Sequence, residues 1–246
     1  MTPCEAYLGP AFEGPCAGAV HSVFAHAVNL RLQTPAGWRL VTLCAPGLPR
    51  LPDSIQAPQG TPGQLREGMA ASLSHGRLEA GPLILPLARS ADWDGRIAPL
   101  SGPPSYGPLL RLTHRLSGGF DRLPPEKARR ALAALATPQA AQWLGLGPGL
   151  TPSFDDACVG FMAMCRAGGR RAPFSIPDDA DTTEVSLRYL LLAGEGRFSE
   201  AVGDVVRAVF GRGDLERAVE TLCRFGATSG ADTLMGMRRY CLEYEN

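Results

Sequence analysis

Two short stretches of the chain place hydroxyls and carboxylates at a shared spacing. The first runs Gly145-Leu146-Gly147-Pro148-Gly149-Leu150-Thr151-Pro152-Ser153-Phe154-Asp155-Asp156, and the second runs Gly226-Ala227-Thr228-Ser229-Gly230-Ala231-Asp232. Aligned, both read Ser-x-x-Asp-x-x-x-Gly: Ser153, Asp156 and Gly160 in one, Ser229, Asp232 and Gly236 in the other. Asp155, Asp156 and Asp232 are the candidate catalytic groups, able to orient a substrate, carry protons or hold a divalent cation such as Mg²⁺. Three glycines in five residues let the backbone take positive φ and approach a ligand closely. Gly147, Gly149, Leu150 and Thr151 are then candidate donors to a small phosphate or carboxylate, with Ser153, Thr228, Ser229 and Gly230 beside them.

Such donors need helices behind them. Thr151 offers an N-cap and Pro152 a first helical residue, so a helix is expected over Pro152–Ala167 and another over Ser229–Tyr244. Ser followed three residues later by an acid is also a capping-box pattern, and a glycine one turn further on lets helices approach. The plain reading is therefore two capped helices crossing at small residues. One acid suffices for that, stabilising a helix start by about 0.3–1 kcal/mol. The adjacent pair Asp155-Asp156 goes beyond it, and the sharper expectation is that both helix N-termini converge on one pocket.

The expected fold is α+β, with a β-rich barrel or sandwich over residues 1–107 and an all-α helical bundle over residues 108–246. Val20–Leu30 and Trp38–Cys44 flank the turn Thr34-Pro35-Ala36-Gly37 as a hairpin, and Leu83–Leu87 adds a short strand. After the linker Ser101–Gly107, helices are expected over Leu109–Leu116, Pro124–Ala136, Thr182–Leu192, Phe198–Phe210 and Asp214–Phe225 as well as the two above.

The chain has 246 residues with 24 basic and 24 acidic side chains and no net charge, and no basic stripe marks a nucleic-acid surface. The only lysine is Lys127, in a helical run with Glu126, Arg129 and Arg130 that reads as a solvated face. Seven cysteines show no C-x-x-C pair and are expected as reduced, buried thiols. No apolar run approaches the ~18–20 residues of a membrane span, and no Lys or Arg precedes Arg31. A cytoplasmic protein is expected.

The stretch Gly145-Leu146-Gly147-Pro148-Gly149-Leu150-Thr151-Pro152-Ser153-x-Asp155-Asp156 resembles the signature of a bacterial family of largely uncharacterised proteins. One member of that family is a subunit of oxamate carbamoyltransferase, an enzyme of anaerobic allantoin (purine) catabolism. The resemblance extends to Gly226-x-Thr228-Ser229-Gly230-Ala231-Asp232-Thr233-Leu234-x-Gly236 and, more weakly, to His21-Ser22-x-Phe24 and Asn29-Leu30, which adds His21 to the candidate binding residues. It implies a transferase that moves a carbamoyl group between oxalurate and phosphate, giving oxamate and carbamoyl phosphate, together with companion subunits. Phe154 stands where the family usually has glycine, and Ala227 where a histidine is common.

The alternatives are a non-catalytic ligand-binding or assembly subunit, and a metal-dependent hydrolase, since Ser229–Thr233 loosely resembles the Asp-Thr metal motifs of ADP-ribosyl-glycohydrolases. No G-x-S-x-G elbow, P-loop or H-E-x-x-H occurs.

Overall fold

Alternating apolar residues in the first hundred positions pair into strands, and the turn chemistry between them sets the register. The computed structural model describes residues 2–90, 92–224 and 226–245. Its strands are β1 (Cys4–Tyr7), β2 (Cys16–Val23), β3 (Ala27–Thr34), β4 (Gly37–Cys44), β5 (Ser54–Gln56), β6 (Ala70–Ser74), β7 (Arg77–Ala80) and β8 (Leu83–Arg89). Between β3 and β4 the Thr34 hydroxyl accepts from the Ala36 N–H at 3.2 Å and donates to the Gly37 carbonyl at 2.8 Å. That local clamp fixes a hairpin in which Val28, Leu30, Leu32, Val41 and Leu43 all face the core. The strands close in the order β1-β5-β4-β3-β2-β6-β7-β8. Parallel pairing of β8 with β1 and of β4 with β5 completes an otherwise antiparallel barrel.

One irregularity carries polar groups. Pairing of β2 with β3 shifts between Val20 and Ser22, so His21 is the extra residue of a bulge. Beside it the Thr42 hydroxyl donates to Asn29 Oδ1 at 2.9 Å, and Asn29 Nδ2 donates to Ser22 Oγ at 3.1 Å, all three residues being buried.

The contacts divide the chain into Met1–Gly95 and Arg96–Asn246. The second unit contains α1 (Tyr106–Thr113), α2 (Pro125–Ala134), α3 (Ser153–Ala167), α4 (Glu184–Gly194), α5 (Glu200–Val209), α6 (Leu215–Cys223) and α7 (Ser229–Tyr244). Of the fifteen residues of α3, all but Asp156, Val159 and Arg166 are buried. A helix apolar all round belongs at the centre of its unit, and α3 sits there, against α2, α4, α5 and α7.

The expected fold is corrected on two counts. The strands form one closed eight-stranded barrel, not a sandwich, because β1 pairs with both β5 and β8 and closes the sheet on itself. The rest is a helical region, not an all-α bundle of aligned helices. Prolines at the start of α2 and at Pro138, with the glycines at 145–149, interrupt the helices with 3-10 turns at Gly119–Arg122 and Pro138–Trp143, and Arg96 and Arg197 add an antiparallel β-bridge. Helix α6 ends at Cys223; Phe225, the expected last residue, lies outside the described residues.

Candidate functional site

The two Ser-x-x-Asp-x-x-x-Gly stretches become the starts of α3 and α7, and the glycines lock the helices together. A Cβ on Gly160 would lie 1.9 Å from the Thr233 carbonyl oxygen, and one on Gly236 would lie 1.8 Å from that of Ala157. The two contacts are equivalents of each other under exchange of the helices, so α3 and α7 are related by a local pseudo-twofold axis. Their N-termini lie together: Thr151 Oγ1, just before α3, is 2.7 Å from Ser229 Oγ at the start of α7.

Neither serine caps its own helix. Pro152 and Thr228 occupy the cap positions, without side-chain cap bonds, so the capping-box reading does not describe these termini. The hydroxyls act across the pair: Ser229, with Thr151, favours the charged form of Asp156, and Ser153 does the same for Asp232.

The three acids have different surroundings. Asp155 is 1% exposed and accepts from the Gly145 N–H at 2.8 Å, from the Ser186 hydroxyl at 2.7 Å and from the Thr182 hydroxyl. Burial raises its pKa and these three donors pull it back. It is a clamp between the glycine loop and the start of α4. Asp232 is fully buried and accepts from the Gly119 N–H at 2.9 and 3.1 Å through its two oxygens. Its pKa is also raised by burial, against the pull of that N–H and of Ser153. Asp156 has the Ser229 and Thr151 hydroxyls but no backbone N–H to anchor it. Its Oδ2 is buried with no hydrogen-bond partner, and desolvation, reinforced by the charges of Asp232 and Asp155, pushes its pKa well above the ordinary carboxylate value. Ser153 Oγ is likewise buried, and the carboxylate it acts on is Asp232. The unmatched Asp156 oxygen thus stands one turn from the Ser153 hydroxyl on α3, where a desolvated polar group is costly unless something pairs with it.

The glycine loop wraps in front of α3. Gly145, Gly147 and Gly149 all have positive φ, at 79°, 123° and 93°. A Cβ on Gly145 would collide with the Asp181 carbonyl at 2.2 Å, and one on Gly147 would lie 2.5 Å from the Ser153 nitrogen. Gly149 meets nothing within 4 Å. Leu150, 39% exposed, has its carbonyl tied by the Thr183 hydroxyl, which also caps α4. The loop walls a cleft of about 680 Å³ whose lining includes Lys127, Trp143, Gly147, Gly149, Asp181 and Thr183.

The sequence-nominated residues therefore divide. Asp156, Asp232, Thr151, Ser153, Thr228 and Ser229 gather at the paired helix starts, with Gly147 against Ser153. Gly149 and Leu150 are on the loop, and Asp155 is a clamp behind it. Gly230 is a packing residue, since a Cβ there would lie 2.0 Å from the Leu222 carbonyl of α6. His21 belongs to the barrel unit, with Nδ1 3.1 Å from Ser22 Oγ. Phe154 is fully buried in the core and adds no bulk in front of the acids. The sequence reading missed Gly119, which binds Asp232, the Thr182/Ser186 pair on Asp155, and Lys127 on the cleft wall. Only the Gly118-Gly119 doublet carried a local signal, that of a backbone approached closely by another group. Among the described residues no group of three or more His, Cys, Asp or Glu side chains is arranged to hold a metal ion, and no helix is long and apolar enough to cross a membrane.

A family model described as oxamate carbamoyltransferase subunit AllH matches residues 143–241, from the glycine loop through most of α7. A second, for the AllH family N-terminal domain, matches residues 4–92, which contain the barrel strands. No solved structure matches the chain.

Proposed function

Because the chain belongs to the AllH family of oxamate carbamoyltransferase subunits, we propose that it binds the small anionic carbamoyl substrate at the paired starts of α3 and α7. Membership also implies companion subunits. The observation that carries the reading is Asp156 Oδ2, buried at those termini without a hydrogen-bond partner and one turn from the Ser153 hydroxyl. A carbamoyl group has a donor –NH₂, the complement of the unmatched carboxylate oxygen, and an acceptor carbonyl for a hydroxyl or N–H at the paired starts. The dipoles of two helix starts add a favourable field for a phosphate or carboxylate arm.

In the proposed reaction a phosphate oxygen attacks the carbamoyl carbon of oxalurate, and the bond from that carbon to the oxamate nitrogen breaks. The proton lost by phosphate ends on that nitrogen, relayed by Asp156. Burial and two neighbouring carboxylates favour the protonated form of Asp156, which suits such a relay. Asp232 and Asp155 act as positioning residues, one holding the Gly119 turn and the other the glycine loop.

Thermal shift of the full chain with phosphate, carbamoyl phosphate, oxamate and Mg²⁺ tests binding, since a ligand of the native state at a hundred times its Kd stabilises by about 2.7 kcal/mol. Asp156→Asn in the complex reconstituted with its companion subunits is expected to abolish carbamoyl transfer while the chain still folds. Ligand binding with transfer retained in Asp156→Asn would leave a ligand-binding or assembly subunit in place of a catalytic one. No shift with any ligand would overturn the site.

A further inference from the structure

Lys127 is the only lysine in a chain that carries all its other 23 basic side chains as arginine. It sits on α2, and the fold brings it to the wall of the cleft formed by the glycine loop. No ion pair or hydrogen bond engages it among the described residues, whereas its neighbour Arg129 is paired with Glu126 at 2.9 Å. The same lining supplies backbone. The N–H groups of Gly147 and Gly149 have no acceptor among the described residues, and behind Gly147 lies the buried Ser153 hydroxyl, 2.8 Å from where a Cβ on that glycine would be. Asp181 is the single carboxylate on the lining.

We infer that this cleft is a phosphoryl-group subsite in which Lys127 supplies the counter-charge and the Gly147–Ser153 segment supplies the neutral donors. The inference rests on the anion-binding reading above and adds a residue to it. Lys127 falls in the stretch between the two matched ranges, so this chain's own geometry carries the assignment. A phosphoryl group has three terminal oxygens, more than a carboxylate brings to such a lining. An ammonium is the compact, three-donor point charge that can meet such an oxygen from several directions, where a guanidinium requires a planar match. The cleft of about 680 Å³ admits a phosphorylated small molecule.

The test uses the full chain and inorganic phosphate, with chloride at equal ionic strength as the control. Phosphate affinity is read by titration calorimetry for wild type, Lys127→Met, Lys127→Arg and the same-helix control Arg129→Met. Lys127→Met is expected to weaken phosphate binding by about tenfold, the loss of one charge-assisted contact. Lys127→Arg is expected to recover only part of that, and Arg129→Met none of it to lose. In parallel, acetylation of the single lysine is followed by mass spectrometry, and phosphate is expected to slow it severalfold while chloride does not. Equal phosphate affinity in wild type and Lys127→Met, or acetylation indifferent to phosphate, overturns the role of Lys127 and leaves the helix-terminus site standing. Absence of phosphate binding in wild type overturns this subsite, and absence of binding by carbamoyl phosphate and oxamate as well overturns the site itself.

Discussion

Replacing Asp155 by alanine is expected to loosen the glycine loop before it affects any chemistry. The carboxylate accepts from the Gly145 N–H, the Thr182 hydroxyl and the Ser186 hydroxyl, and alanine leaves all three without their acceptor. The hydroxyls rotate toward water or carbonyl oxygens, but the Gly145 N–H is fixed by a backbone already held at φ 79°. A buried donor left unpaired costs about 1–3 kcal/mol. Against that, removing the carboxylate relieves its own desolvation, the leading cause of its raised pKa. Counting the two displaced hydroxyls with the Gly145 N–H, three lost contacts at about 1–3 kcal/mol each sum to about 3–9 kcal/mol, and that relief brings the net loss to the lower end, about 3 kcal/mol. At about 2–4 °C per kcal/mol for a chain of this size, Tm drops by about 6–12 °C. Scanning calorimetry of wild type, Asp155→Ala, Asp155→Asn, Thr182→Val and Ser186→Ala measures this. Asparagine keeps an oxygen for Gly145 and offers an amide to the hydroxyls, so its loss should be less than half that of alanine. A Tm for Asp155→Ala within about 2 °C of wild type, with transfer activity gone, would refute the clamp and put Asp155 in the chemistry.

Asp156 is expected to behave oppositely. Its pKa is raised in the folded state, so its contribution is fully present below the ordinary value of 3.8 and is lost as pH rises through the raised value. Urea titrations at acid and slightly alkaline pH should show Asp156→Asn gaining on wild type as pH rises, and a constant difference would contradict an unpaired buried carboxylate. Gly236→Ala puts a methyl 1.8 Å from the Ala157 carbonyl and should cost at least about 3 kcal/mol or prevent folding, read by circular dichroism; a loss under about 1 kcal/mol would mean the helices can separate freely. Asn29→Ala removes the link between Ser22 and Thr42, and denaturant unfolding should register about 1–3 kcal/mol of lost stability; no loss would mean water replaces the amide.

The helices were legible because apolar spacing, glycine breaks and prolines are local signals, and α7 spans the residues the pattern marked, Ser229–Tyr244. The β3–β4 hairpin was legible for the same reason, through Thr34 and Gly37. Strands β6 and β7 carry Ala-Ala-Ser-Leu-Ser and Arg-Leu-Glu-Ala, with no β-branched residue, so local propensity was silent and only cross-strand pairing makes them strands. Barrel closure by β8 on β1 joins residues more than eighty positions apart, which no short-range pattern records. The repeated Ser-x-x-Asp marked residues that the fold brings together, but its capping-box form suggested that each pair works within its own helix. The exchange of partners between helices depends on the Gly160–Gly236 crossing and was invisible until the helices were packed. Lys127 read as a solvated face because its helix neighbours are charged; its place on the cleft depends on where α2 docks.

The pseudo-twofold pairing of α3 and α7 also orders events on the ribosome. Ser153, Asp155 and Asp156 are made some seventy residues before Ser229 and Asp232. Asp155 can find Gly145, Thr182 and Ser186 as soon as α4 emerges, so the glycine loop can set early around a half-built α3. Until α7 docks, Gly160 faces no backbone, Gly119 has no carboxylate to hold, and Asp156 lacks the serine and the acid that tune it. A nascent chain stalled before α7 would carry every element of the loop and still have no shared terminus to offer a ligand. On the proposed reading, synthesis of α7 is therefore the step that completes the paired helix starts.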